Sequence, residues 1–183
     1  MFAALRKRLA AWARPRHPEA LPVVLDRQRI YILPTGFGLF LGLLLGTMLL
    51  GGLNYNNNPA LLLGFGLAST ALLSLHATHL TLSGIGLREA RGLPVHAGET
   101  LRLELRFDAV RSRPRSGLVL ELGDARAVFS LPDVTPAATE LLLPTKVRGW
   151  LRPGRIKLAT TQPLGLARAW SYFWPEPRLL VYP

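Results

Sequence analysis

The chain's hydrophobic pattern is dominated by one stretch. From Ile30 to Leu87 there is no Asp, Glu, Lys or Arg, which is too long a run for a single buried strand or core helix. A membrane-spanning helix takes about 20 apolar residues, and the run divides into two such lengths, Gly36–Leu53 and Pro59–Leu80. Between them lies Asn54-Tyr55-Asn56-Asn57-Asn58. Consecutive asparagines are costly in hydrocarbon and suit a turn at the interface. Pro59 fits the first position of a second helix, where a missing N–H costs nothing, and Tyr55 fits the headgroup level. The pattern predicts a transmembrane helical hairpin. A buried hairpin in a soluble protein is the alternative, but a chain this short has little protein to cover two such helices. A cleaved signal peptide would start earlier and would not be followed at once by a second span.

From Thr81 onward the pattern becomes alternating. Leu101, Leu103, Leu105 and Phe107 interleave with Arg102, Glu104, Arg106 and Asp108, the period of a half-buried strand. Further strands are expected at Leu82–Ala90, Gly117–Leu122, Ala125–Leu131, Thr139–Leu143, Gly154–Thr160 and Arg178–Tyr182, separated by Gly, Pro and Asp turn signals. The expected fold is mixed: the helical hairpin followed by an all-β immunoglobulin-like sandwich. The expected organisation is a basic cytoplasmic leader over 1–29, the hairpin over 30–80 and the sandwich over 81–183. In the leader, Phe2, Leu5, Leu9 and Trp12 recur at helical spacing with Arg6, Lys7 and Arg8 off that side. This predicts either a helix lying in the interface or a plain basic leader.

Charge adds direction. The formal net charge is +11, and Lys7, Lys146 and Lys157 are the only lysines, so the excess is arginine. Arg6, Lys7, Arg8, Arg14, Arg16, Arg27 and Arg29 precede the first helix, Arg88 and Arg91 follow the second, and the connecting turn is uncharged. The positive-inside rule then places both termini in the cytoplasm, against an anionic leaflet. The arginines are scattered, without the interleaved aromatics of a base-stacking surface, so no nucleic-acid partner is expected. The chain has no cysteine, which excludes disulfides and thiolate metal sites.

Small residues repeat every fourth position on both helices: Gly38, Gly42 and Gly46 on the first, Ala60, Gly64 and Ala68 on the second. Such stripes allow close helix packing, within the hairpin or in a homodimer. No nucleophile elbow, P-loop, zincin helix or dinucleotide fingerprint is present, so no catalytic residue, cofactor or metal is assigned. His76 and His79, spaced i, i+3, are the close histidine pair and carry an alternative reading, a membrane subunit binding a lipid, haem or metal. Arg148, Trp150, Arg168 and Trp170 stand in an aromatic, arginine-rich C-terminal region, the composition favoured at protein interfaces. They are the candidate partner surface; the other reading, and the commoner one for such aromatics, is that they fill the sandwich core.

Several segments together resemble the DUF58 family. They are Pro34-Thr35-Gly36 at the first helix, Asn54-Tyr55-Asn56-Asn57 in the turn and Pro94-Val95-His96-Ala97-Gly98-Glu99. Also similar are Arg148-Gly149-Trp150, the run Thr160-Thr161-Gln162-Pro163-Leu164-Gly165-Leu166-Ala167-Arg168-Ala169-Trp170-Ser171, and Val181-Tyr182-Pro183. The resemblance runs from about Arg29 to the end. It implies a bacterial inner-membrane protein that serves as partner or adaptor of a MoxR-type AAA+ ATPase, often beside another membrane protein, rather than an enzyme. The family continues past its Val-Tyr-Pro into a signature segment not found in this sequence. The chain is therefore expected to be a piece of a longer protein or a short form, and a hydrolase site in such a segment is a further alternative.

Overall fold

The structure is a computed structural model, and it describes residues 17–110, 113–132, 136–176 and 179–183. The expected interfacial helix in the leader lies outside the described residues. Two long helices, α1 (Gly36–Asn54) and α2 (Asn58–Leu82), form an antiparallel hairpin. Each start is fixed by a side chain: the Thr35 hydroxyl accepts from Gly38 N–H at 3.0 Å and the Asn57 amide oxygen from Ala60 N–H at 3.1 Å, which satisfies donors that a helix N-terminus leaves free. The asparagine turn reverses the chain with Asn56 at φ 50°, a conformation asparagine tolerates better than most residues. Both helices are long and apolar enough to cross a membrane, and only 11% of each one's apolar window is covered by the rest of the protein. Phe37, Phe40, Leu43, Leu50, Leu62, Leu63, Phe65, Leu72 and Leu73 are all exposed, which a helix in a soluble core would not show.

The hairpin seam uses only part of the small-residue stripes. Gly64 is buried, and a Cβ there would meet Leu49 Cδ2 at 2.6 Å; Gly52 faces Leu61 Cδ2 in the same way at 2.9 Å. Ala60 and Ala68 are half-buried. Gly42 and Gly46 face open space and lie outside the hairpin seam, so of the two expected uses of the stripe the hairpin contact does not include them. Gly38 packs on the β part of the protein and not on α2, because its turn of α1 lies against the Leu166 backbone. A four-residue repeat drifts around a 3.6-residue helix, so one stripe need not stay on one contact.

The β part consists of two antiparallel sheets facing each other over one core. The first holds β1 (Val23–Val24), β3 (Ile85–Gly92), β5 (Thr100–Ala109) and β8 (Ala137–Pro144), in that order. The second has the order β2 (Tyr31–Pro34), β11 (Ala167–Phe173), β10 (Ile156–Thr160), β6 (Arg115–Leu122) and β7 (Ala125–Leu131). Alternate residues point inward: Leu101, Leu103, Leu105 and Phe107 from the first sheet meet Leu118, Leu120, Phe129, Leu158 and Phe173 from the second. Phe107 contacts both Phe129 and Phe173, at 5.0 and 5.8 Å between ring centroids. A small third sheet, β4 (Val95–His96), β12 (Leu179–Tyr182) and β9 (Gly149–Leu151), closes one side.

The domain boundaries differ from expectation. Residues 23–34, assigned to the leader and the start of the hairpin, supply β1 and β2, and Leu25 and Ile30 join the core. These strands are too short, between proline and arginine, to show a period of their own. The helices correspondingly start at Gly36 and continue to Leu82. β11 also went unpredicted as a strand. Trp170 and Tyr172 point to one face while Ala169 and Phe173 point to the other, and all four are buried, so the segment shows no alternation.

Candidate interaction surface and the helix-proximal end

Strand directions give the sandwich two ends. The helices join at Pro34 and Ile85, so the rim formed by the Ser83–Gly84 turn, the end of β5, the start of β6 and the β10–β11 loop is helix-proximal. The opposite rim carries the β3–β5 connection, the end of β8 and the small third sheet.

At the proximal end the hairpin is gripped at both feet. Thr35 N–H donates to the Leu166 carbonyl at 2.9 Å and the Thr35 hydroxyl to the Gly165 carbonyl at 2.6 Å. On the other helix, Thr78 and Leu82 are fully buried and α2 packs against β10 and β11. α2 is 25 residues long against 19 for α1; at 1.5 Å per residue the extra length is about 9 Å, and it is this last part that enters the sandwich. His79 donates from Nε2 to the Arg27 carbonyl at 3.2 Å, which fastens α2 to the segment between β1 and β2. His76, one turn earlier, is exposed. The histidine pair is thus divided between a structural tie and a free ring, and among the described residues no group of three or more His, Cys, Asp or Glu side chains could hold a metal ion.

On the outer face of the five-stranded sheet, Glu121 receives Lys157 Nζ at 2.7 Å on one oxygen and Arg168 Nη2 at 2.8 Å on the other. Partial burial pushes the Glu121 carboxyl up, but the Lys157 hydrogen bond and charge, with Arg168 and Arg126, bring it below the usual range. Arg168 is therefore occupied within the sheet. Trp170 is buried beside Tyr172 and Ala159 and stacks on Tyr31 at 6.1 Å. Neither Arg168 nor Trp170 offers a free surface, which corrects the partner-surface reading and leaves Trp170 with the core reading; strands on both sides of β11 cover a side chain that the sequence places simply near other aromatics.

The distal end is different. In the small third sheet Leu179, Val181, Val95 and Leu151 face the core. Trp150 stands opposite Leu180, and Tyr182 opposite His96, so these four share the outward face. Trp150 is 64% exposed and Tyr182 45%, and the rings of His96 and Tyr182 lie 5.9 Å apart. Lys146, Arg148 and Arg152 are exposed on the segments either side of β9, as is Val147. The face is anchored from below. Glu99 accepts from His96 N–H at 3.0 Å, the Thr145 hydroxyl donates to the Glu99 carbonyl at 2.5 Å, and Gly98 turns at φ 100°. The segment Pro94–Glu99 is thus a turn that seats β4 beside β12. Arg148 and Trp150 were singled out from composition; His96, Leu180 and Tyr182 were not, because only the pairing of β12 with β9 and with β4 brings them together. The chain matches no family model, no curated protein and no solved structure.

Proposed function

We propose that this chain is a membrane-anchored, non-enzymatic interaction protein whose helical hairpin crosses the bacterial inner membrane with both termini cytoplasmic. Its sandwich, read as immunoglobulin-like, presents a binding face to a protein partner. The observation that carries the reading is the outward face of the third sheet: Trp150 and Tyr182 exposed together at the end remote from the helices. Exposed aromatics with arginine are the usual anchors of an interface, and the rim of Lys146, Arg148 and Arg152 suits an acidic partner surface. The grip on both helices supports an adaptor, since it holds this face at a fixed distance from the membrane. Crossovers between two antiparallel sheets of four and five strands support the immunoglobulin-like type. Basic flanks on both helices and an uncharged turn support the orientation.

The segments resembling the DUF58 family include Arg148-Gly149-Trp150 and Val181-Tyr182-Pro183, which supply part of this face. On that resemblance the partner is a MoxR-type AAA+ ATPase or a neighbouring membrane protein. The test is binding of the detergent-solubilised full chain to a purified MoxR-type ATPase. Saturable binding that Arg148→Glu abolishes is the expected result; unchanged binding by that variant would remove this face from the interaction. A reporter fused after Pro183 tests the orientation independently, and periplasmic activity would reverse it.

A further inference from the structure

Among the described residues, one charged side chain in the sandwich has no counterpart. Arg115 opens β6 and points between the sheets at the helix-proximal end, opposite Leu131. It is only 3% exposed, and none of its three guanidinium nitrogens has a hydrogen-bond partner. No salt bridge among the described residues reaches it or its neighbour Arg113. A buried cation without an acceptor is destabilising, and the second arginine beside it adds like-charge repulsion. Burial and the Arg113 charge both lower the Arg115 pKa from its ordinary value. The site is built at the point where α2 ends. Arg113 donates to the Leu80 carbonyl, one of the carbonyls that the helix C-terminus leaves unpaired. Arg115 Nη2 lies beside Gly84, whose positive φ of 75° bends the chain from α2 into β3. On the same rim, Val110 and Leu164 are 70% and 51% exposed.

We infer that Arg115 and Arg113 bind the phosphate of an anionic phospholipid headgroup at the end of the sandwich that faces the bilayer. Guanidinium groups are the preferred ligands for phosphate oxygens, which they engage through paired N–H donors. Proximity to the end of a helix long enough to cross the membrane puts the pair at headgroup depth, and exposed Val110 and Leu164 fit the boundary between headgroup and acyl chain. A phosphate there would supply the acceptors that Arg115 lacks among the described residues. The inference rests on the hairpin crossing a bilayer, which the reporter fusion and membrane fractionation test separately.

The experiment is thermal unfolding of the full chain in neutral detergent, with added phosphatidylglycerol, phosphatidylcholine or inorganic phosphate. Phosphatidylglycerol should raise Tm by roughly 5–10 °C when well above its Kd, and phosphatidylcholine, whose ammonium offsets the charge of the same phosphate, should raise it much less. Arg115→Met should lose this gain while matching or exceeding the wild-type Tm without lipid, because it removes an unpaired buried charge. Arg113→Gln, on the rim, should reduce the gain without altering the core. Three results would overturn the assignment: no selectivity for phosphatidylglycerol, an equal gain in Arg115→Met, or the full gain from inorganic phosphate alone.

Discussion

The Thr35 hydroxyl donates to the Gly165 carbonyl at 2.6 Å, joining positions 130 residues apart. The same hydroxyl accepts from Gly38 N–H and so caps α1. One side chain therefore starts a long apolar helix and fixes that helix to the β10–β11 loop. The hairpin is consequently more than a tether, since its feet are part of the sandwich.

Gly38 sits one turn into α1 against the joint. A Cβ there would overlap the Leu166 carbonyl oxygen, which is backbone and cannot turn aside, whereas Cβ atoms at Gly42 and Gly46 would meet nothing within 4 Å. Gly38→Ala should therefore destabilise the protein by about 1–3 kcal/mol, the usual cost of overpacking. Gly42→Ala and Gly46→Ala should be neutral or gain up to about 1 kcal/mol from helix propensity. Thermal unfolding in detergent distinguishes them. Equal effects at all three sites would mean that the stripe acts as one surface.

Thr35→Val keeps the shape and removes the hydroxyl. It should cost about 1–2 kcal/mol, from the lost cap and a carbonyl left with one donor fewer, while Thr35→Ser should keep most of the stability. Proteolysis of the β10–β11 loop is a second readout. Loop cleavage should accelerate in the valine variant only, and unchanged cleavage would show that the joint holds without the hydroxyl.

The charge-free run and the period-two strands were legible because each reports a single environment, lipid or a half-buried sheet. The hairpin, Ala125–Leu131 and the Leu101–Phe107 alternation could be read directly. β11 could not, because Trp170, Tyr172 and Phe173 are covered on both faces. β1 and β2 could not, because two to four residues carry no period and their partners, β3 and β11, are distant in sequence. The candidate surface was half legible for the same reason. Arg148 and Trp150 signal an interface by composition, but Tyr182 and His96 join them only through the pairings of β12 with β9 and β4, strands far apart in the chain. Arg115 looks like any other arginine of a basic turn until the bulge between Arg115 and Leu118 turns it inward.

Trp150 and Trp170 make a paired test of surface against core. Trp150→Ala should leave unfolding within about 0.5 kcal/mol of wild type, as expected of an exposed site, and weaken partner binding. Trp170→Ala should cost about 3–5 kcal/mol by opening a cavity beside Tyr31 and Tyr172. Circular dichroism melts and the ATPase binding assay, run on both variants, give the two axes. Partner binding unaffected by Trp150→Ala would argue for a different face.

Glu121 makes stability depend on acid in a predictable direction. Its carboxyl, held by Lys157 and Arg168, titrates below the usual 4.5 in the folded chain. Folding therefore favours the ionised form, and the contribution is present in full above the unfolded pKa and lost as pH falls through the folded one. Glu121→Gln leaves Lys157 and Arg168 with a single uncharged amide oxygen between them in place of a carboxylate, which should cost about 1–2 kcal/mol at pH 7 for a partly buried pair. Other carboxylates titrate in the same range, so the informative quantity is the difference between wild type and Glu121→Gln. That gap should be constant from pH 7 down to about 5 and shrink below 4.5. A gap that stays flat to pH 3 would mean that the carboxylate's charge contributes nothing beyond the shape of its hydrogen bonds.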